Sequence, residues 1–205
     1  MIFDINTSNK SFLKLSKTLR KKGIKNNKFF LSLYDETLVN VDPRSENLTL
    51  EQQARIAQEV NINFWYYIRE VVRVPTPGGL SQYEIHSGNL AESFALLNNL
   101  NSIVLLPRQH FKTISAVVFY SWIYLFPATN YNIVFSNKEL ADSQLNIKRC
   151  KDIYTNLPKY LLAHMDTKID TDNINLIRLG SKNNTIKSLS TGRDEASADK
   201  LGENI

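Results

Sequence analysis

At 205 residues, with 42% hydrophobic and 22% charged residues, the chain has enough apolar mass for one globular domain and no bias towards disorder. The longest apolar run, Ala116–Phe126, is broken by Ser121 and is too short to span a bilayer; the single cysteine, Cys150, excludes an internal disulfide and a cysteine-based zinc site. The net charge of +5 suits a polyanionic partner.

That charge is unevenly placed. Between Asp4 and Asp35 there is no acidic residue, yet the interval holds Lys10, Lys14, Lys17, Arg20, Lys21, Lys22, Lys25 and Lys28. Phe12, Leu15 and Leu19 share one helical face, which predicts an amphipathic helix to about Arg20, ended by Gly23. Residues 1–34 thus read as a helical basic arm, and residues 1–60 as that arm plus a helical lead-in. Such an arm either meets DNA phosphates or a partner subunit, or is a solvated tail with a short helix.

Asp35–Asn47 is polar and loop-like, and Thr49 with Gln52 forms a capping-box pattern before a helix. Asn63 is a candidate cap for a second helix whose Phe64, Tyr67, Ile68, Val71 and Val72 lie at core spacing. Trp65 and Tyr66 fall off that stripe; burial is the expected role, with base stacking as the alternative. Pro75–Gly79 is a strong loop signal, and Tyr83–His86 a short strand candidate. Gly88-Asn89-Leu90-Ala91 leads into a helix with Leu90, Phe94 and Leu97 on one face.

The stretch Ser102–Thr113 reads S-I-V-L-L-P-R-Q-H-F-K-T. Ser102–Leu106 predicts a buried strand, Pro107–Phe111 a turn, and the apolar run after Lys112-Thr113 a helix to Phe126. Strand, loop, Lys-Thr and helix is the layout of a phosphate-binding (Walker A) loop. Free N–H groups and the positive end of the helix dipole face an anion there. The usual pattern is G-x-x-x-x-G-K-[ST]; here the two glycine positions hold Leu106 and Phe111. The plain alternative is an ordinary strand–turn–helix connection with a surface lysine.

Further along, Asn132–Phe135 reads as a strand, with Ser136-Asn137 capping a helix from Lys138 to Tyr154. Strand, helix, strand, helix predicts a mostly parallel sheet with right-handed crossovers, its carboxyl edge at Ser136-Asn137. Leu157–Leu161 reads as a connector. Asn175–Leu179 and Thr185–Leu189 flank Gly-Ser-Lys-Asn-Asn in a hairpin pattern, and Ser190–Gly202 reads as a polar loop.

P-R-Q-x-x-K-T after a hydrophobic strand resembles the ATPase centre of the terminase large subunit of tailed bacteriophages, the motor of viral genome packaging. The resemblance runs in order from about Asn63 to Gly202. It takes in F-W-Y-Y-I-R-E-V-V, G-N-L-A, the loop, N-I-V-F-S-N-K-E-L-A and Y-T-N-L-P-K-Y-L. Phe111 departs from the family, which usually has glycine there.

The resemblance implies an α/β, RecA-like (ASCE) P-loop NTPase fold over residues 61–205, with ATP and Mg²⁺ as ligands. In that reading Lys112 contacts the outer phosphates, the Thr113 hydroxyl ligates Mg²⁺, and Arg108 stabilises transition-state charge in cis. Gln109, His110 and Phe111 supply loop amides, and His86 and Asn89 are candidates for contact with the base, with a helix-capping or turn role as the alternative for each. The implied activity is ATP hydrolysis driving translocation of double-stranded DNA into a procapsid, with portal and small terminase subunits as partners in the host cytoplasm.

A hydrolase of this kind also needs a hydrophobic strand ending in Asp-Glu for metal and water. No such strand follows the loop before Ile205. The expectation is therefore the first part of an ATPase domain, incomplete at the C-terminus, with weak or absent hydrolysis unless a second chain supplies the rest. The rivals are a helicase-like motor fragment and a non-enzymatic DNA- or protein-binding module with a decayed phosphate loop.

Overall fold

The computed structural model describes residues 1–76, 78–101, 103, 105 and 112–190. A short strand, β1 (Ile2–Phe3), leads into α1 (Lys10–Lys21) and then pairs antiparallel with β2 (Ser32–Leu33). Asn9 caps α1, its side-chain oxygen accepting from Ser11 N and Ser11 Oγ. The N-terminal helix is docked rather than solvated. Phe12, Leu15 and Leu19 are buried, and the Phe12 ring lies 6.1 Å from that of Phe30. Gly23, at φ +78°, takes the left-handed turn that ends the helix.

The expected capping box opens α2 (Leu50–Ile62): Thr49 Oγ1 accepts from Gln52 N at 3.2 Å, and Gln52 Oε1 from Thr49 N at 3.0 Å. Asn63 Oδ1 then accepts from Tyr66 N and opens α3 (Phe64–Tyr66), which continues as a π turn over Tyr67–Val71. Phe64, Tyr67, Ile68, Val71 and Val72 are all buried as their spacing predicts. Tyr66 is buried too, and Trp65 packs edge-on against Phe29 and Phe64. The two aromatic residues off the stripe are therefore packing residues.

A hairpin follows, β3 (Arg73–Thr76) with β4 (Gly79–Gln82). Gly79 sits at φ +110°. The chain turns early at this glycine, so the pairing uses Gly79–Gln82, and Tyr83–His86 is not the strand that its sequence suggested. Next come α4 (Ser87–Leu97) and α5 (Lys112–Leu125). The latter is apolar almost all round; Val117, Val118, Phe119, Trp122, Tyr124 and Leu125 are buried. Trp122 Nε1 donates to Val60 O at 2.7 Å and ties α5 to α2.

The last third holds β5 (Asn132–Asn137), α6 (Leu140–Thr155), α7 (Lys159–His164), β6 (Ile169–Asp172), β7 (Leu176–Leu179) and β8 (Asn184–Ser190). The expected connector at Leu157–Leu161 is partly α7. The helix cap is Glu139, not Ser136-Asn137. Asn137 Oδ1 accepts instead from Ser143 Oγ and Asn146 Nδ2.

The sheet order is β5-β8-β7-β6. Among the described strands only β5 and β8 run parallel; β8, β7 and β6 form an antiparallel meander. Among the described residues the architecture is mixed α/β, and the mostly parallel sheet of the sequence reading is corrected. The cause is local. A short 3₁₀ turn and Asn183, at φ +53°, reverse the chain between β7 and β8, as the hairpin pattern predicts. Asn184 Nδ2 locks that corner by donating to Tyr124 O at 2.8 Å and Ala128 O at 2.9 Å. Ile133, Phe135, Ile177, Leu179 and Ile186 lie on the buried face of the sheet. No described helix is long and apolar enough to cross a membrane.

Many of the buried groups are weak acids. Burial raises the phenol pKa of Tyr66, Tyr67, Tyr83, Tyr124 and Tyr160, and pushes the Cys150 thiol up to about 12. In the unfolded chain these groups lose their protons near pH 8.5 for Cys and near pH 10 for Tyr. The stability they contribute is therefore complete below those values and declines as pH rises through them. Thermal scans should show the unfolding midpoint falling by roughly 10 °C between pH 9 and pH 11. A flat profile over that range would show that these hydroxyls meet solvent.

Candidate functional site

The candidate site is the N-terminus of α5. Helices leave their first N–H groups without helical partners, and the dipole there favours an anion. The first turn of α5 carries no acidic residue to oppose one. Lys112 opens the helix, and Thr113, at its second position, is exposed. A lysine and a hydroxyl residue at the first two positions of a helix can offer charge and a metal ligand to a phosphate.

The start of α5 is held from below. Ser115 is buried, and its Oγ lies 2.8 Å from Tyr83 Oη. The Tyr83 carbonyl accepts from Asn9 Nδ2 at 2.9 Å, and the same amide donates to Arg69 O at 3.2 Å. Ile85 N donates to Ser11 Oγ at 3.1 Å. The cap of α1, the segment before α4 and the first turn of α5 are thus tied through buried polar contacts. Burial raises the Tyr83 pKa. The sequence reading missed Asn9, Tyr83 and Ser115. Asn9 carried a signal, since it precedes an amphipathic run as a cap should; Tyr83 and Ser115 carried none, because their pairing spans distant parts of the chain.

His86 and Asn89, the candidate base contacts, form the reciprocal cap of α4. His86 Nδ1 accepts from Gly88 N at 3.1 Å, and Asn89 Oδ1 accepts from His86 N at 2.7 Å. Asn89 Nδ2 also donates to Glu84 O, and Asn89 is fully buried. The structure gives both residues a capping role.

Arg108, Gln109, His110 and Phe111 lie outside the described residues, as does the Lys112 side chain. So do Ser102, Val104 and Leu106 of the expected strand. At Ile103 and Leu105, which are described, no strand is formed, and the residues are 90% and 89% exposed. The buried strand is therefore corrected at these two positions, where no described strand pairs with the chain. Among the described residues no group of three or more His, Cys, Asp or Glu could hold a metal ion.

No protein-family model matches this chain, and no curated protein matches it.

Proposed function

We propose that Pro107–Thr113 is a phosphate-binding loop for MgATP, and that the chain is the nucleotide-binding part of a DNA-packaging motor of the terminase kind. The observation that carries this reading is the start of α5 at Lys112, with Thr113 exposed beside it. An apolar helix that begins on Lys-Thr, after P-R-Q-H-F, supplies the charge, hydroxyl and free N–H groups that a triphosphate needs. Lys112 neutralises the outer phosphates, Thr113 takes a place on Mg²⁺, and Arg108 offers a guanidinium to the charge that develops on transfer. The mixed α/β architecture, with a parallel β5–β8 pair, is compatible with a P-loop NTPase fold.

Thermal shift tests this. At about one hundred times its Kd, MgATP adds about 2.7 kcal/mol, which for this chain length raises the midpoint by roughly 5–10 °C. The Thr113→Ala variant should lose most of the gain from Mg²⁺ while keeping a smaller shift with ATP and EDTA. A shift independent of Mg²⁺ in the wild type would remove Thr113 from the metal.

A further inference from the structure

We infer that the exposed face of α1, with the turn that follows it, is a docking surface for the phosphate backbone of duplex nucleic acid. It lies on a different helix from the candidate nucleotide loop, and it stands without that reading.

Lys10, Lys14, Lys17 and Lys21 are spaced four, three and four residues apart. At 100° per residue they fall within an arc of about 60°. Phe12, Leu15 and Leu19 occupy the opposite side and are buried. The four lysines are exposed, and among the described residues none of them forms an ion pair. They line one shallow groove with Leu13 and Thr18. The stripe extends about 16 Å, the length of roughly five base-pair steps.

The turn after α1 adds to it. Gly23 N donates to Arg20 O at 3.0 Å, and Ile24 N to Leu19 O at 3.1 Å. Asn27 Nδ2 donates to Ile24 O at 2.8 Å. These bonds hold Lys25 and Lys28 in a neighbouring hollow with Arg20 and Phe3.

The chemistry selects among acidic partners. The apolar face of α1 is in the core, so the helix has nothing to insert into a lipid surface. Protein interfaces place aromatic anchors at their centre and deplete lysine; this stripe has lysines and no aromatic residue. Single-strand binders stack successive bases on several aromatic rings; the stripe has none, and the hollow beside it has Phe3 alone. The α1 row itself is lysine alone, with Arg20 and Asn27 only in the hollow beside it, and a regular row of lysines fits duplex phosphates without sequence preference.

The test is fluorescence anisotropy of a labelled random-sequence duplex of about 20 base pairs, titrated with the full chain in a salt series. Four to six phosphate contacts predict a slope of log K against log salt of about −4 to −5. Combined Lys14→Ala, Lys17→Ala and Lys21→Ala should weaken binding about a hundredfold at 0.1 M salt and flatten the slope by about 3. Alanine is a strong helix former, so unchanged circular dichroism and midpoint should accompany that loss. The control pair Lys159→Ala and Lys168→Ala should alter affinity far less. Absent binding, equal loss in the control, or tighter binding to anionic vesicles, polyglutamate or single strands overturns the assignment. The triple variant should retain its MgATP thermal shift, which separates this surface from the nucleotide reading.

Discussion

Arg69→Leu is expected to destabilise the protein by ~3–5 kcal/mol, the cost of breaking a buried charge network by removing one partner. The Arg69 side chain is fully buried in the π turn after α3. Its Nε donates to Glu70 Oε1 at 2.9 Å, and its Nη1 to Phe30 O at 3.0 Å. The Nη2 donates to Ser32 O at 3.3 Å and lies 3.8 Å from Asp4 Oδ2. One planar fork thus joins Asp4 after β1, Ser32 of β2 and Phe30 before β2 to the π turn after α3. Leucine would leave those carbonyls and carboxylates without their shared donor in a dry setting.

Arg69→Lys should recover only part of the loss, because an ammonium cannot span the same set of acceptors. Urea unfolding followed by tryptophan fluorescence measures both variants. A change under about 1 kcal/mol for Arg69→Leu would show that the network contributes little net stability. Glu59 and Asn63 form the adjacent layer: Glu59 accepts from Tyr34 N and Asp35 N at 3.0 Å, and Asn63 Nδ2 donates to Ser32 O at 3.0 Å. Their closeness to Arg69 means that double variants in this region should not be additive.

None of this network was legible in the sequence. Arginine and glutamate are placed outside by default, and only the fold reveals that Arg69 and Glu59 face a ring of backbone carbonyls and amides. The same holds for β1 and β2, which are too short to carry a period. By contrast, α2 was legible because Thr49 and Gln52 form a complete local signal, and α5 because its apolar content admits little else. The hairpin β7–β8 was legible from Gly-Ser-Lys-Asn-Asn. Strand β6 was not: Ile169-Asp-Thr-Asp172 alternates weakly, and only pairing with β7 makes it a strand.

The same distinction explains the site. Lys112 and Thr113 at the start of a helix follow from the switch between a turn and an apolar run. A capping or turn role for His86 and Asn89 was legible from their place before a helix, and the backbone geometry of α4 decides for it over contact with a base. The docked state of α1 follows from Phe12, Leu15 and Leu19 finding Phe30, a contact between segments that a local pattern cannot show. Its amphipathic spacing, however, was explicit from the start.

The Lys112 charge is the central claim, and its expected effect on binding is large. A charge-assisted contact to phosphate in a partly dehydrated site is worth about 2–4 kcal/mol, or roughly 30- to 1,000-fold in affinity. Lys112 is the first residue of α5, and alanine is a strong helix former, so the variant should keep its fold while the anion loses its counter-charge. Arg108 would give a second charge at the phosphates, and a residual affinity in the variant would be its signature.

The most direct measurement is a titration of a fluorescent ATP analogue with Mg²⁺, using the wild type beside Lys112→Ala at matched ionic strength. Micromolar binding by the wild type, weakened at least thirtyfold in the variant with an unchanged melting midpoint, is the predicted result. Equal affinity in both proteins, or negligible binding by the folded wild type, would contradict a working phosphate loop at the start of α5.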